Sequence, residues 1–227
     1  MPEAAPAPAP APGRQDRHRL PLRERKKLRT RQALIETALD LFTERGFDGA
    51  TLDELCERVE VSKRTFFRYF TSKEDVAMAP TQDMWTALLE DLESVEPEGR
   101  TLLAVLQDVL LGALARMPDD GWARRVRLSH RLAERSPSMD AHGLHFCDRT
   151  GRAALDVLHR RFDLGGAADP RPRLALDLVI ASFHWALHTW IARPGSPGRA
   201  RLADDLRDAF AAVPGSLTLK PGPTTAR

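Results

Sequence analysis

Hydrophobic residues recur along most of the chain at the three- and four-residue spacing of amphipathic helices. The first clear run puts six apolar side chains on one helical face: Leu34, Ile35, Ala38, Leu39, Leu41 and Phe42. Gly46 follows this run, where a glycine in the left-handed conformation is expected to end the helix. No stretch keeps the two-residue alternation of a half-buried strand, so the pattern predicts an all-α fold.

Capping residues predict three short helices after Gly46. Thr51 and Glu54 have the reciprocal spacing of a capping box, so a second helix is expected to begin there. Ser62 is expected to cap a third helix and Ser72 a fourth. Helices this short have to pack crosswise around one small core. We expect this core to contain Phe42, Leu55, Val61, Phe66 and Phe70.

Beyond residue 79 the chain stays helical, with breaks at proline and glycine residues. Five further segments are predicted to be helices: 102–114, 122–134, 139–162, 173–192 and 199–213. The segment 102–114 is apolar on nearly every side and is expected to lie at the centre of its domain. The whole pattern therefore predicts about nine helices.

These helices are predicted to form two domains, over residues 22–79 and 80–213. Residues 1–21, which include a Pro/Ala-rich run, are expected to be disordered, and residues 214–227 are expected to form a flexible tail. Between residues 14 and 31 there are nine basic residues against two acidic ones. This run is either a solvated tail and helix start or an arm that binds phosphate groups.

Composition and spacing argue against several classes of protein. The formal net charge of +2 is too balanced to indicate a nucleic-acid partner without local clustering. Cys56 and Cys147 are far apart and have neither a disulfide framework nor a zinc-site spacing. The longest apolar stretch, 174–191, is interrupted by Asp177, His184 and His188. No membrane span or secretion signal is therefore predicted, and the protein is expected to be cytoplasmic.

The third predicted helix combines cationic and aromatic side chains. A step of about 100° per residue puts Lys63, Arg64 and Phe67 on one side of it. Cations there can donate to guanine O6 and N7 in the major groove of DNA, and an exposed ring can contact a thymine methyl group. The alternative is a solvated surface helix with a partly buried aromatic cluster.

Four neighbouring residues are candidates for contacts to DNA phosphates on either side of this face. They are Thr51, Thr65, Tyr69 and Lys73. Their hydroxyl and ammonium groups can donate to phosphate oxygens. The amide groups at the starts of the second and fourth helices can bind anions in the same way.

The segments TLDELC (51–56), VSKRTFFRYF (61–70) and SKED (72–75) resemble the DNA-binding domain of the tetracycline-repressor (TetR) family. The resemblance implies an N-terminal three-helix helix-turn-helix domain, followed by a C-terminal helical domain for ligand binding and dimerisation. It further implies a homodimeric repressor that leaves a palindromic double-stranded DNA operator when a small molecule binds.

At the matching positions, the resemblance implies that Lys63, Arg64 and Phe67 read bases and that the four flanking residues contact phosphates. Glu60 departs from the family pattern, which usually has glycine in the turn. A positive φ at a residue other than glycine costs roughly 1 kcal/mol, so a slightly altered turn is expected.

The C-terminal domain contains the candidates for a ligand pocket. The residues expected to line a cavity are Trp85, Leu88, Leu106, Leu110, Trp122, Phe146 and Trp185, each alternatively a plain core residue. Arg127 and His130 are candidate anchors for an anionic group, or else solvated helix surface. The tract 127–139 loosely resembles family members that respond to fatty acyl-CoA, which implies a largely apolar, acyl-CoA-like effector.

The resemblance implies a dimer interface on the last two long helices. The candidate interface residues are Leu174, Leu178, Phe183, Leu187, Leu202, Leu206 and Phe210. The apolar character of 174–191, too high for a helix that faces water, agrees with this assignment. Two such helices from each subunit would form a four-helix interface.

Two other functions stay open. An activator or a ligand-independent regulator would have the same fold. His184 and His188 lie at i and i+4, a spacing that can bind a metal on one helical face, so a helical metal-dependent enzyme is the second alternative. No third ligand has an obvious spacing and no nucleophile–base pair or phosphate loop is evident, so neither a metal nor a cofactor is expected.

Overall fold

The computed structural model describes residues 21–118, 121–166, 168–195 and 197–222, and every regular element within these ranges is a helix. The nine helices of these ranges are α1 Leu22–Arg45, α2 Leu52–Arg58, α3 Lys63–Phe66, α4 Lys73–Leu92, α5 Leu102–Arg116, α6 Trp122–Ala133, α7 Pro137–Arg161, α8 Arg171–Ala192 and α9 Arg199–Ser216. The predicted all-α class is confirmed. The Pro/Ala-rich run, the first bases of the basic run and the end of the predicted tail lie outside the described residues.

The predicted capping residues start the short helices. The Thr51 hydroxyl accepts a hydrogen bond from the Glu54 amide at 3.2 Å, and the Glu54 carboxylate accepts one from the Thr51 amide at 2.9 Å. Ser62 and Ser72 cap α3 and α4 through their hydroxyl groups. Gly46 ends α1 with φ 77° and ψ 155°, so its φ is positive but its ψ is extended and not that of a left-handed cap.

A first hydrophobic core joins α1 to α4. All six apolar residues predicted on one face of α1 are buried in it. Leu55, Phe66 and Phe70 are buried with them, whereas Val61 packs at the edge and is only half-buried. Met139 of α7 is buried in the same core. The helix-turn-helix unit therefore rests partly on an element of the rest of the molecule.

Helix α4 runs without interruption through Pro80 and takes part in two cores. Val76, Ala77 and Ala79 pack in the first core, whereas the residues from Met84 to Leu92 pack in a second core with α5 to α9. The carbonyl of Pro80 accepts a hydrogen bond from the Trp122 indole at 2.9 Å. The domain boundary predicted after residue 79 thus falls inside a continuous helix.

Two predictions about the second core need correction. Helix α5 is not enclosed on all sides, because Asp108 and Gly112 are exposed while its other face packs on α4, α8 and α9. Helix α9 continues through Pro214 to Ser216, so the chain stays helical beyond the predicted start of the tail.

Helix α8 is the one helix of the described ranges that is long and apolar enough to match a membrane span by length and composition. Core helices of other proteins meet the same two criteria. Eight of its residues are buried, and it packs mainly along α9 and also against α5. These contacts bury one face of α8, and a second apolar face stays on the outside of the molecule.

The turn between α2 and α3 contains Glu60 at the position where the TetR pattern usually has glycine. Glu60 has a φ of 55°, and the next residue, Val61, donates from its amide to the Cys56 carbonyl at 2.9 Å. Glu60 therefore adopts the left-handed conformation that glycine takes readily. The turn therefore has the backbone conformation expected of a glycine, and Glu60 is strained in it.

Replacing Glu60 with glycine is expected to raise the free energy of unfolding by about 1 kcal/mol, because the strain of a left-handed glutamate is removed. Urea denaturation of the Glu60→Gly protein measures this change. Glu57→Gly is the matched control, since Glu57 lies in the helical conformation of α2 and glycine is unfavourable there. Equal loss of stability in both variants would contradict the assignment of strain to Glu60.

Candidate DNA-binding interface

Helix α3 presents the three predicted base readers on its exposed side. Lys63, Arg64 and Phe67 are all exposed, and the Phe67 ring retains 54% of its accessible surface. Phe66 points the other way and is fully buried, with its ring edge-on to Phe67 at 5.3 Å and near Phe70 at 5.8 Å. Buried rings thus support an exposed cationic and aromatic surface.

Lys63 has a partner that the sequence analysis did not single out. Its ammonium lies 2.8 Å from a carboxylate oxygen of Asp53, the second residue of α2. The hydrogen bond that the Lys63 ammonium donates to Asp53, and then the charge of that carboxylate, raise the pKa of Lys63. Asp53 lies two residues after the capping position of α2, so its closeness to the start of α3 depends on the turn between the two helices.

Three of the predicted phosphate contacts lie around this surface and already have local partners. Thr51 is part of the capping box of α2. The Thr65 hydroxyl lies 3.0 Å from that of Ser62. Tyr69 is half-buried, and the guanidinium of Arg68 lies 5.2 Å from its ring centre. Their contacts to phosphate stay predictions.

The fourth predicted phosphate contact, Lys73, has a different role in this structure. Its ammonium donates to the carbonyls of Phe47 at 2.5 Å and Ala50 at 3.0 Å. It also lies 4.3 Å from the ring centre of Phe47. These contacts use two of the three donors of the ammonium, so Lys73 holds the α1–α2 loop in this structure. Its contact to phosphate stays a prediction.

A second basic surface lies between the start of α1 and the end of α3. The residues that line this open groove are Leu22, Arg23, Glu24, Lys26, Lys27, Thr30, Arg68 and Tyr69. The only acidic residue among them, Glu24, is 3.9 Å from Lys27. The described part of the basic run is therefore helical and adjoins the exposed side of α3.

Ion pairs join α1 to the body of the protein. Arg31 of α1 donates two hydrogen bonds to Asp83 of α4, at 2.6 and 2.8 Å. Two arginines of α6 pair with acids of α1: Arg125 with Glu36 at 3.1 Å, and Arg124 with Asp40 at 2.8 Å. Because the side chain of Arg125 is almost fully buried, α6 and α1 are held together over part of their length.

A narrow apolar cavity lies among α4, α7 and α8. It is lined by Trp85, Leu88, Phe146, Cys147, Thr150, Gly151, Ala154, Leu176 and Ile180. Its volume of about 20 Å³ has room for about one water molecule. Three predicted pocket residues, Trp85, Leu88 and Phe146, are among those that line it.

The other predicted pocket residues lie elsewhere. Leu106 and Leu110 are buried in the second core, and Trp122 is buried beside Pro80. Trp185 is exposed by 55% on the outer face of α8, so its assignment to a pocket in this chain was wrong. Helix α8 has one buried and one exposed apolar face. The hydrophobic pattern does not distinguish these two faces.

The two candidate anion anchors also lie outside this cavity. Arg127 donates to the Pro197 carbonyl at 3.4 Å, and its guanidinium lies 5.3 Å from the ring centre of Trp190. Burial lowers the pKa of His130, while Glu134, 3.5 Å away, partly raises it. In the described residues no three side chains are grouped to hold a metal ion, His184 and His188 included.

Most of the predicted dimer residues are buried within this chain. Those in the core are Phe183, Leu187, Leu202, Leu206 and Phe210, which bind α8 and α9 to each other and to α5. That part of the interface prediction was wrong, because the periodic apolar residues form the intramolecular face. Leu174 is exposed and Leu178 half-buried on the outer side of α8, together with the exposed Ala181 and Trp185.

Comparisons with known proteins agree with this geometry. A family model described as bacterial regulatory proteins, tetR family, matches residues 34–79. The HTH-type transcriptional regulator TcmR of Streptomyces glaucescens is 33% identical over 178 residues, which cover 76% of this chain and 77% of TcmR. IcaR of Staphylococcus epidermidis, a negative transcriptional regulator of the biofilm operon icaADBC, is 21% identical over 78% of this chain and 90% of its own.

Among solved structures, SmeT, the repressor of the Stenotrophomonas maltophilia multidrug efflux pump SmeDEF, is 21% identical. The match covers 83% of this chain and 88% of SmeT, with a TM-score of 0.48. The extent and identity of the match to TcmR, together with the family model over α1 to α4, decide the relationship. The chain belongs to the TetR family of bacterial transcriptional regulators.

Proposed function

We propose that the protein is a homodimeric transcriptional repressor that binds a palindromic DNA operator and leaves it when a small apolar molecule enters the body. The observation that carries this proposal is the exposed group of Lys63, Arg64 and Phe67 on a helix-turn-helix unit whose other face is buried. Repression is supported by the relative IcaR, which is a negative transcriptional regulator by description.

The start of α3 is the part expected to enter the major groove. In helix-turn-helix proteins the N-terminal residues of the second helix contact base edges while the first helix crosses the backbone. A gel-shift assay with the DNA upstream of the protein's own gene tests this function. A retarded band that survives competitor DNA is expected, and no retarded band at low salt would contradict the proposal.

A second copy of the chain is the proposed occupant of the outer face of α8. Leu174, Leu178, Ala181 and Trp185 lie within about 60° of one another around the helix axis, at 100° per residue. Leu174, Ala181 and Trp185 of this apolar stripe are exposed and Leu178 is half-buried, although the opposite face of α8 is packed. An isologous contact between two such stripes would cover both and would set two copies of α3 at two half-sites.

Release of DNA is proposed to begin at the cavity among α4, α7 and α8. The cavity is too narrow for an effector, so a ligand has to move at least one of these helices to enter. Helix α4 runs from this cavity to Lys73, which holds the α1–α2 loop. A ligand that prefers the open cavity would thereby favour a different position of α3, and DNA affinity would fall by population shift.

The lining of the cavity favours an apolar ligand. Cys147 and Thr150 are its most polar residues, and no charged side chain lines it. Arg127 and His130 lie outside it, so an acyl-CoA would have to keep its charged part elsewhere. Reporter expression with and without the gene distinguishes a repressor from an activator of the same fold.

The groove at the start of α1 is proposed to bind the DNA backbone. Replacing both Lys26 and Lys27 with alanine should lower the salt dependence of DNA binding, because fewer counterions are released from phosphates. The slope of log K against log salt is expected to fall by about one for each lysine that contacts a phosphate. Arg152→Ala, far along α7, is the control, and an unchanged slope in the double variant would contradict this role.

Replacing Trp185 with glutamate is expected to dissociate the dimer, because two carboxylates would be buried in the α8 interface without partners. Sedimentation equilibrium should give the mass of two chains for the wild type and one chain for the variant. Leu144→Glu is the matched control, since Leu144 is 68% exposed on α7 and outside the proposed interface. A dimeric Trp185→Glu protein or a monomeric wild type would contradict the interface.

Replacing Gly151 with leucine is expected to fill the cavity and abolish ligand entry. Gly151 lines the cavity, and a Cβ there would meet no atom within 4 Å. The dye 1-anilinonaphthalene-8-sulfonate, whose aromatic rings bind apolar sites, can report occupancy by its fluorescence. Enhancement should be lost in Gly151→Leu but kept in Gly166→Leu, where the glycine has equal space outside the cavity. Equal fluorescence in the two variants would contradict ligand binding at this cavity.

A further inference from the structure

We propose that Asp53 and Lys63 act together as a reader of one G·C base pair, which makes Asp53 a specificity-determining residue. The inference rests on the proposed binding of DNA through α3 and adds to it the identity of a base pair. It starts from the ion pair between the second residue of α2 and the first residue of α3.

The two charged groups have the position that direct readout requires. Lys63 is the first residue of α3. The N-terminal end of a recognition helix is the part that contacts base edges. Its ammonium lies 2.8 Å from the Asp53 carboxylate, and the two side chains are exposed by 53% and 66%. A donor and an acceptor therefore stand side by side, open to solvent, at the surface that carries Arg64 and Phe67.

A G·C pair presents the complementary groups at the same spacing. In the major groove guanine O6 is an acceptor and cytosine N4 is a donor. These two atoms are hydrogen-bonded to each other in the base pair, so they are about 2.9 Å apart. Lys63 can donate to O6 while Asp53 accepts from N4, and the spacing of the protein groups, 2.8 Å, needs little change.

An A·T pair offers the same two kinds of group but with unsuitable neighbours. The donor of adenine, N6, is next to the acceptor N7, which would repel the Asp53 carboxylate. The acceptor of thymine, O4, is next to a methyl group, which gives an ammonium nothing further to bind. In a G·C pair the acceptor N7 lies beside O6, where it adds to the binding of Lys63.

The ion pair also limits binding to other sequences. The Asp53 carboxylate neutralises Lys63 in the free protein and repels phosphate groups near it. Lys63 therefore gains most from a site that satisfies both side chains. A plain surface ion pair would behave in the opposite way: removal of Asp53 would free a cation and strengthen binding to every DNA sequence alike.

Selection of binding sites from a random double-stranded DNA library tests the proposal. The proteins compared are the wild type, Asp53→Ala, Lys63→Ala and the double variant. Glu57→Ala is the matched control, because Glu57 is an exposed acid one turn further along α2 and outside this ion pair. The DNA bound by each of the five proteins is sequenced after selection at the same salt concentration. The affinities are measured by fluorescence anisotropy.

The wild type should select one G·C pair in each half-site by about tenfold over other pairs. Both single variants should lose that preference at the same position, the double variant should lose no more, and Glu57→Ala should keep it. The proposal would be overturned if the two single variants lost their preference at different positions. It would also be overturned if Asp53→Ala bound all sequences more tightly and kept its preference. A wild type that selects no sequence would instead contradict the proposed function.

Discussion

Helix α4 is the constraint on which the rest of the structure depends, because it belongs to both hydrophobic cores. Its first turn carries Lys73, whose ammonium is bound by two carbonyls of the α1–α2 loop. Its second half supplies Trp85 and Leu88 to the cavity wall. A change in the cavity that tilted α4 would therefore act on the loop that positions α2 and α3. Pro80 does not interrupt this connection.

The helix-turn-helix unit shows how a helix of four residues can be held in a fixed orientation. Isolated helices of that length do not form in water, so α3 depends on its cap at Ser62 and on the buried rings of Phe66 and Phe70. The turn that sets the direction of α3 contains Glu60, whose positive φ strains the backbone. The apolar support leaves Lys63, Arg64 and Phe67 exposed, which is the arrangement that sequence recognition needs.

Local features of the fold could be predicted from the sequence, whereas contacts between distant segments could not. The caps at Thr51, Ser62 and Ser72 act within three residues, so their spacing was sufficient. The hydrogen bonds of Lys73 to the α1–α2 loop could not be predicted, because its partners lie 23 and 26 residues earlier in the chain. Helix α8 is apolar on two faces, and periodicity alone did not reveal that Phe183 points inward and Trp185 outward.

The central claim is that two copies of α3 read successive major grooves of one operator. Hydroxyl-radical footprinting of the wild-type protein on its own upstream DNA tests this most directly. A dimer with this arrangement should give two protected patches per strand on one side of the duplex, with centres about one helical turn, or a multiple of about 10 base pairs, apart. A single protected patch, or protection without regular spacing, would contradict it.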